Sequence, residues 1–155
     1  MIYSEEELSY LEEAIKRPIG NKRKNYGVSQ RLVDKAAKEG DMETLEMLLN
    51  KRASNIAKKV MKEYPEKSAR WRGTEIHSRM KYTSSTLYEE SIKGFGRLDG
   101  FDYKSGIIFE LKPNTSWSLL KAKGQIDNYV RGVNSVIDRY KKTGEVIGKV
   151  IIYTK

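Results

Sequence analysis

Arg97-Leu98-Asp99-Gly100-Phe101-Asp102-Tyr103-Lys104-Ser105-Gly106-Ile107-Ile108-Phe109-Glu110-Leu111-Lys112-Pro113 is the stretch that decides how this chain is read. Lys104-Ser105-Gly106 is a turn signal between two runs that alternate in character, which is the pattern of a β-hairpin. A two-residue loop at Lys104 and Ser105 sets Asp99 opposite Glu110 and Arg97 opposite Lys112. Period-2 alternation gathers Arg97, Asp99, Phe101, Ile108, Glu110 and Lys112 on one face. Ile107, Phe109 and Leu111 take the other face, the expected core side. Two carboxylates directly across a ladder repel. A divalent cation between them removes that penalty, and oxygen ligands are what Mg²⁺ prefers. Lys112, two residues beyond Glu110, is then placed to aid a developing anion or to position a water. The plainer alternative is a hairpin with a solvated charged face, since Glu-x-Lys alone is common. The pairing geometry, the apolar back face and the stop at Pro113 favour the site.

These residues resemble a known signature. Asp99, ten intervening residues, then Glu110-Leu111-Lys112 is similar to the PD-(D/E)XK signature of the restriction-endonuclease-like nucleases. Arg97-x-Asp99-Gly100 before it and Glu110-Leu111-Lys112-Pro113-Asn114 after it, followed by Gln125 and Tyr129, resembles the nuclease toxin domains of bacterial polymorphic and contact-dependent systems. Leu98 stands where the name-giving Pro would, a frequent departure in that superfamily. The resemblance covers Ala69 to Lys155 and does not extend to the first half.

Composition narrows the chemistry independently. The chain has 155 residues with 38% hydrophobic and 33% charged side chains, enough for one core under a wet surface. No run reaches the ~20 apolar residues of a membrane-spanning helix. The N-terminus, Met1-Ile2-Tyr3-Ser4-Glu5-Glu6-Glu7, is acidic and has no apolar h-region, unlike a secretory signal. With no cysteine, disulfides and thiolate zinc sites are excluded, and a single histidine, His77, excludes multi-His sites. Any metal is therefore held by carboxylates, backbone and water, which favours Mg²⁺ or Mn²⁺.

The net charge of +9 points to a polyanionic partner. Lys16, Arg17, Lys22, Arg23, Lys24 and Arg31 lie in a stretch without an acid, and Lys51, Arg52, Lys58, Lys59 and Lys62 form a basic helix face. Both clusters suit phosphate contacts that weaken with salt, and both suit a plain solvated surface.

Residues 1–65 read as helical. Ser4 and Glu7 make a capping box ahead of Leu8, Leu11 and Ile15. Pro18, Gly20 and the basic run interrupt the pattern, and the loop 16–27 is the best boundary the sequence offers, although a single compact unit is favoured over a division there. Ser29 is expected to cap a helix through Lys38 that stops at Gly40. Asp41 is expected to cap a longer one that buries Leu45, Leu48, Leu49, Ile56, Val60 and Met61 and ends before Pro65. This segment carries no recognisable chemistry and is expected to pack on a core formed by residues 66–155.

That core begins with a helix over about 67–81, followed by a weak strand near 85–92 and then the hairpin. An amphipathic helix opening at Trp117 carries Leu120, Ile126, Val130, Val133, Ile137 and Tyr140, and Lys141, Lys142 and Gly144 end it. A final run, 146–153, is apolar enough for an inner strand. The order is α-β-β-β-α-β, so the fold class is α/β. The resemblance implies the restriction-endonuclease-like αβββαβ core, a mixed sheet flanked by helices.

The resemblance also implies a third metal carboxylate at Glu75, on the helix before the sheet. A solvent-facing Glu75 paired with Arg79 at i+4 is the alternative, worth only ~0.3–0.5 kcal/mol. Gln125 and Tyr129 lie one helical turn apart, and the resemblance turns that face to the active site, Gln125 orienting phosphate or Lys112. Taken alone, Tyr129 reads as a core aromatic. Lys121 extends the face toward phosphate, Asn114 belongs to the same motif, and Arg97 braces a carboxylate or contacts phosphate. His77 is either a general base or a half-buried histidine with one hydrogen bond. Trp71 and Trp117 read as packing residues.

What this implies is a metal-dependent nuclease, with DNA favoured over RNA as its nucleic acid. Asp99, Glu110 and Glu75 hold the metal, and Asp99, Glu110, Lys112, Glu75 and Gln125 act in catalysis, with Arg97, Lys121, Tyr129 and Asn114 on substrate. A toxin resemblance further implies the C-terminal effector domain of a larger secreted protein, acting in a target-cell cytoplasm. Its partner would be a cognate immunity protein, acidic to complement the basic domain. A ribonuclease acting on tRNA, a repair or phage nuclease, and a catalytically inert nucleic-acid-binding module fit the same sequence.

Overall fold

The computed structural model describes residues 22–89, 91–92, 96–135 and 146–154. The expected Ser4–Glu7 capping box and its helix lie outside these residues. So do Ile137, Tyr140 and the helix stop at Lys141, Lys142 and Gly144.

In chain order come α1 (Gln30–Glu39), α2 (Met42–Glu63), α3 (Ala69–Arg79), β1 (Thr86–Tyr88), β2 (Ser91–Ile92), β3 (Gly96–Arg97), β4 (Gly100–Asp102), β5 (Ile107–Pro113), α4 (Ser116–Ser135) and β6 (Ile147–Tyr153). The helix ends follow local rules. The Ser29 hydroxyl accepts from Leu32 N–H at the start of α1, and Gly40, in the left-handed region at φ 71°, closes it. The Asp41 carboxylate accepts from Thr44 N–H at the start of α2, and Tyr64, just before Pro65, ends it. Thr115 caps α4 by accepting from Ser118 N–H.

The protein is α/β, built on a mixed four-stranded sheet in the order β1-β4-β5-β6. β4 runs antiparallel to β1 and β5, and β6 runs parallel to β5. The expected strand near 85–92 divides in two: β1 joins the main sheet, while β2 pairs with β3 in a separate ribbon. Where the hairpin ladder forms, its register agrees with the sequence reading, pairing Gly100 with Phe109 and Asp102 with Ile107, but it stops at Gly100, and Arg97 pairs with Ser91 of β2 and not with Lys112. The hairpin turn is longer than the two residues expected, because Gly106 N–H closes onto Asp102 C=O and Gly106 adopts φ 74°.

Both sheet faces are covered. Ile107, Phe109, Leu111, Ile151 and Tyr153 share one core with Leu45, Leu49, Ile56 and Val60 of α2 and Ile76 of α3. On the other face Phe101, Ile108 and Leu98 pack with Ile126 of α4. α4 lies so close to β6 that a Cβ on Gly148 would stand 2.3 Å from Ile126 Cγ1. On the hairpin face bearing the charged residues, Glu110 is therefore buried, Asp99 and Lys112 are half-buried, and Arg97 stays exposed.

Three sequence expectations are corrected. β6 is the edge strand of the described sheet rather than an inner one. Its outer edge is covered by α2: Ile152 N–H donates to Asn50, Thr154 N–H to Ser54, and Lys149 pairs with Glu46. Arg52 does not belong to a basic surface. It is fully buried and donates to the carbonyls of Asn25, Val28, Lys81 and Tyr82, so it ties two loops to α2. Trp117 and Leu120 are the third, being 72% and 75% exposed and outside any core. Among the described residues, no helix is long and apolar enough to cross a membrane.

Candidate active site

β5 and the residue before β4 bring the two hairpin carboxylates together on the α4 face. Asp99 precedes Gly100, where the ladder with β5 begins. Its Oδ2 accepts from the backbone N–H of Leu111 at 2.8 Å, and its own C=O accepts from Glu89 N–H. The side chain thus takes over where the backbone ladder stops. Gly100 is needed for packing, since a Cβ there would stand 2.8 Å from the Tyr82 ring. That ring in turn stacks on Phe109 at 4.7 Å.

Glu110 is 4% exposed. Burial first, and the Asp99 charge second, push its carboxyl up to about 7 against the pull of Lys112 and His77. Oε1 lies 3.5 Å from Lys112 Nζ, and Oε2 is buried without a hydrogen-bond partner. A buried, unpartnered carboxylate oxygen is costly and unusual in a folded protein. It marks a position that a proton or a cation is needed to complete.

α3 supplies His77. Its Nδ1 lies 2.8 Å from Gly73 C=O, an acceptor, so Nδ1 carries hydrogen. Nε2 lies 3.5 Å from Asp99 Oδ2. Burial works against the imidazolium, but the Asp99 carboxylate outweighs it, helped by the Gly73 carbonyl and Glu110, and holds His77 above its ordinary range.

Glu75 is not brought to this pair. Its carboxylate accepts from Arg79 at 3.0 Å and from Lys22 at 3.1 Å, and Arg79 also binds Glu63 of α2. Burial raises its titration, but Arg79 and Lys22 outweigh burial and lower it. Glu75 therefore belongs to an ion-pair network and corrects the expected third ligand. Two residues apart on a helix, Glu75 and His77 point in nearly opposite directions, and His77 has the side that meets Asp99. Among the described residues no group of three His, Cys, Asp or Glu side chains is placed to hold a metal ion. Asp99 and Glu110 are the two carboxylates that could hold a metal here, and oxygen donors of this kind suit Mg²⁺ or Mn²⁺.

The remaining predicted residues divide. Tyr129 is at the site: burial first, then Glu110 and Asp99, raise its phenol, and its ring packs where a Cβ on Gly96 would be 3.1 Å away. Gln125, one turn earlier, keeps a buried Oε1 without a partner. Lys121 is exposed on α4. Asn114 is exposed past the end of β5, its N–H donating to Tyr153 C=O. Arg97 is exposed and pairs with Glu89 at 2.8 Å.

Beside Asp99 opens a cleft of about 260 Å³ lined by Arg23, His77, Tyr82, Glu89, Arg97 and Asp99. Arg23 and Tyr82 escape a motif-based reading. Arg23 comes from a loop 54 residues before His77 and is held by the carbonyls of His77 and Met80 and by the Tyr88 ring. Glu89 adopts a positive φ of 54°, a strained setting for a non-glycine residue at the cleft wall. A larger cleft of about 810 Å³ lies at the hairpin turn and shares none of these residues. Of its carboxylates, Asp34 is satisfied by Ser84 and Asp102 by Thr83, Ser85 and the turn N–H groups, and Glu39 is exposed.

In comparisons with known proteins, no family model, no curated protein and no solved structure matches the chain.

Proposed function

We propose that this protein is a metal-dependent phosphodiester hydrolase of the restriction-endonuclease-like, PD-(D/E)XK kind, acting on nucleic acid and preferentially on DNA. The observation that carries the reading is the opposed pair on one hairpin. Asp99 and Glu110 stand one register step past the Gly100–Phe109 pair, Glu110 has a buried Oε2 without a partner, and Lys112 stands 3.5 Å from Glu110 Oε1. The order α3-β1-β4-β5-α4-β6 around a mixed sheet supports the same reading.

Asp99 and Glu110 would hold Mg²⁺ or Mn²⁺, which when bound lowers the pKa of a water and neutralises charge at the scissile phosphate. The chain's own groups do the rest. Leu111 N–H fixes one Asp99 oxygen, so the carboxylate is oriented before substrate arrives. Lys112 puts a cation beside the carboxylates and stabilises the anion that develops as the P–O bond breaks. Gln125 offers an unpaired amide oxygen on the α4 side. Arg97 exchanges an exposed ion pair with Glu89 for a phosphate at little cost, since such pairs are weak. The toxin-like motif extends the reading to an effector domain opposed by an acidic immunity protein.

The test is incubation of the purified protein with plasmid DNA and, separately, tRNA, in Mg²⁺, in Mn²⁺ and in EDTA, beside Asp99→Ala. Metal-dependent loss of DNA that the variant lacks supports the proposal, and loss of tRNA instead makes it a ribonuclease. Salt-sensitive binding with no cleavage under any metal leaves a binding module.

A further inference from the structure

The cleft beside Asp99 has a wall whose hydrogen-bonding capacity the fold does not use up. Arg23 lines it from the loop before α1, and Tyr82 lines it from the loop after α3. Arg23 Nη1 donates to the carbonyls of His77 and Met80 at the C-terminal end of α3. Its guanidinium also lies over the Tyr88 ring, 4.2 Å from the ring centre. Capping a helix end explains Nη1. It does not explain the rest of the fork, because among the described residues Nε and Nη2 meet no acceptor. The stacking and the two carbonyls hold that free edge in place before any ligand arrives.

Tyr82 repeats the pattern. Its ring is buried and stacks on Phe109 at 4.7 Å. Packing accounts for the ring, which phenylalanine would supply equally well, but not for the oxygen. Among the described residues the hydroxyl meets no hydrogen-bond partner, where a buried phenol usually has one.

The charges in the cleft pair off with one left over. Glu89 is paired with Arg97 at 2.8 Å. Asp99 has Leu111 N–H at 2.8 Å and His77 Nε2 at 3.5 Å. Arg23 has no opposite charge within ion-pair reach among the described residues. A fixed, uncompensated cation beside an unused hydroxyl is a donor set for an anion with several oxygens. At about 260 Å³ the cleft is smaller than the ~300–1,000 Å³ of pockets for drug-sized ligands, so it suits a phosphate group and not a base pair.

Geometry ties this wall to the carboxylate pair. The His77 carbonyl accepts from Arg23, while the His77 ring reaches Asp99. Asp99 is itself a wall of the same cleft.

We infer that Arg23 and Tyr82 form a subsite for the phosphate that adjoins the scissile one on the nucleic-acid strand. Arg23 offers Nε and Nη2 to its oxygens, and Tyr82 donates its hydroxyl. Both are positioning residues, which hold the strand so that the next phosphate meets Asp99 and Glu110. This inference rests on the nuclease reading and extends its substrate contacts to the first half of the chain.

His77 is the single histidine of the chain and lines the cleft, so its imidazole proton resonances report on the subsite directly. In EDTA, at fixed pH and ionic strength, the protein is titrated with inorganic phosphate, with a terminally phosphorylated dithymidylate and with acetate. The expected result is a saturable shift with both phosphate probes and none with acetate. Tyr82→Phe keeps the stacked ring and should bind phosphate about two to ten times more weakly. Arg23→Lys keeps the charge without the fork and should lose about tenfold. Lys62→Gln, exposed on α2, should bind as the wild type does. No shift in the wild type, an equal shift with acetate, or wild-type affinity in Tyr82→Phe or in Arg23→Lys overturns the subsite. On a strand that the wild type cleaves, a neutral methylphosphonate beside the cleaved bond should raise KM in the wild type and add nothing in Arg23→Lys. An equal penalty in both overturns the placement. The two ideas fail separately, because the shift is read without metal. Phosphate binding without cleavage under any metal removes the nuclease reading alone, and cleavage without a His77 shift removes the subsite alone.

Discussion

Leu111 N–H donates to Asp99 Oδ2 at 2.8 Å, across the hairpin and one residue past the position that faces Asp99. The bond orients one carboxylate of a repelling pair and leaves the other, Glu110, to carry the electrostatic cost. Both halves of that asymmetry are measurable.

Asp99→Ala, Glu110→Gln and Lys112→Ala should each lower cleavage by at least about a hundredfold, the scale of losing one preorganised electrostatic group. Thermal melts should show each variant folded. Full activity in any of the three, measured on the substrate that the wild type cleaves, would remove that residue from the site.

The metal-free protein should lose stability as pH rises from about 4.5 to about 7. Glu110 titrates near 7 when folded and near its ordinary 4.5 when unfolded, so over that window the folded state holds the extra proton. The loss amounts to a few kcal/mol and is complete above the folded value. His77 acts in the same direction. Its folded value is raised, so its contribution is full below about 6.5 and is lost as pH climbs through the folded value. Urea midpoints in EDTA between pH 5 and 8 should therefore fall, and Glu110→Gln should flatten most of the slope. At pH 8, Mg²⁺ or Mn²⁺ should raise the wild-type midpoint and leave that of Glu110→Gln unchanged.

Arg52→Leu should destabilise the fold by at least about 3 kcal/mol, because four loop carbonyls lose a charged donor in the interior. Lys51→Leu, one residue earlier and exposed, should stay within ~0.5 kcal/mol. Equal urea midpoints for the two variants would contradict the buried role of Arg52.

Two glycines on either side of α4 should respond oppositely to alanine. Gly124→Ala gains roughly 0.5–1 kcal/mol of helix propensity in open space. Gly148→Ala forces a Cβ onto Ile126 and should cost roughly 1–3 kcal/mol. Thermal melts of the pair would decide, and destabilisation by both would mean that α4 is packed on its outward side.

Local rules made the helix ends legible, because Ser29, Gly40 and Asp41 act on N–H and C=O groups within a turn of themselves. The hairpin register from Gly100–Phe109 to Asp102–Ile107 was legible for a similar reason, since turn and alternation set it within a dozen residues. Helix phase explains the miss at Glu75: the motif pointed to α3, but neighbours from α2 and the loop at Lys22 decided which of its sides meets the sheet. The burial of Arg52 was equally out of reach, because the carbonyls it binds lie 24 to 30 residues away. Trp117 reads as core by composition alone, and only the docking of α4 through Ala122 and Ile126 turns it outward.

The clasp of α2 on β6 has a kinetic consequence. Asn50 and Ile152 are 102 residues apart, and β6 is the parallel neighbour that flanks Glu110 along its whole strand. A contact of that sequence separation forms late, after the entropy of closing the loop has been met. On a ribosome, β5 stays open on one side until residues 147–153 have emerged, so the interior around Glu110 closes last. A nascent chain would carry Asp99, Glu110 and Lys112 well before β6 could hold β5 in place.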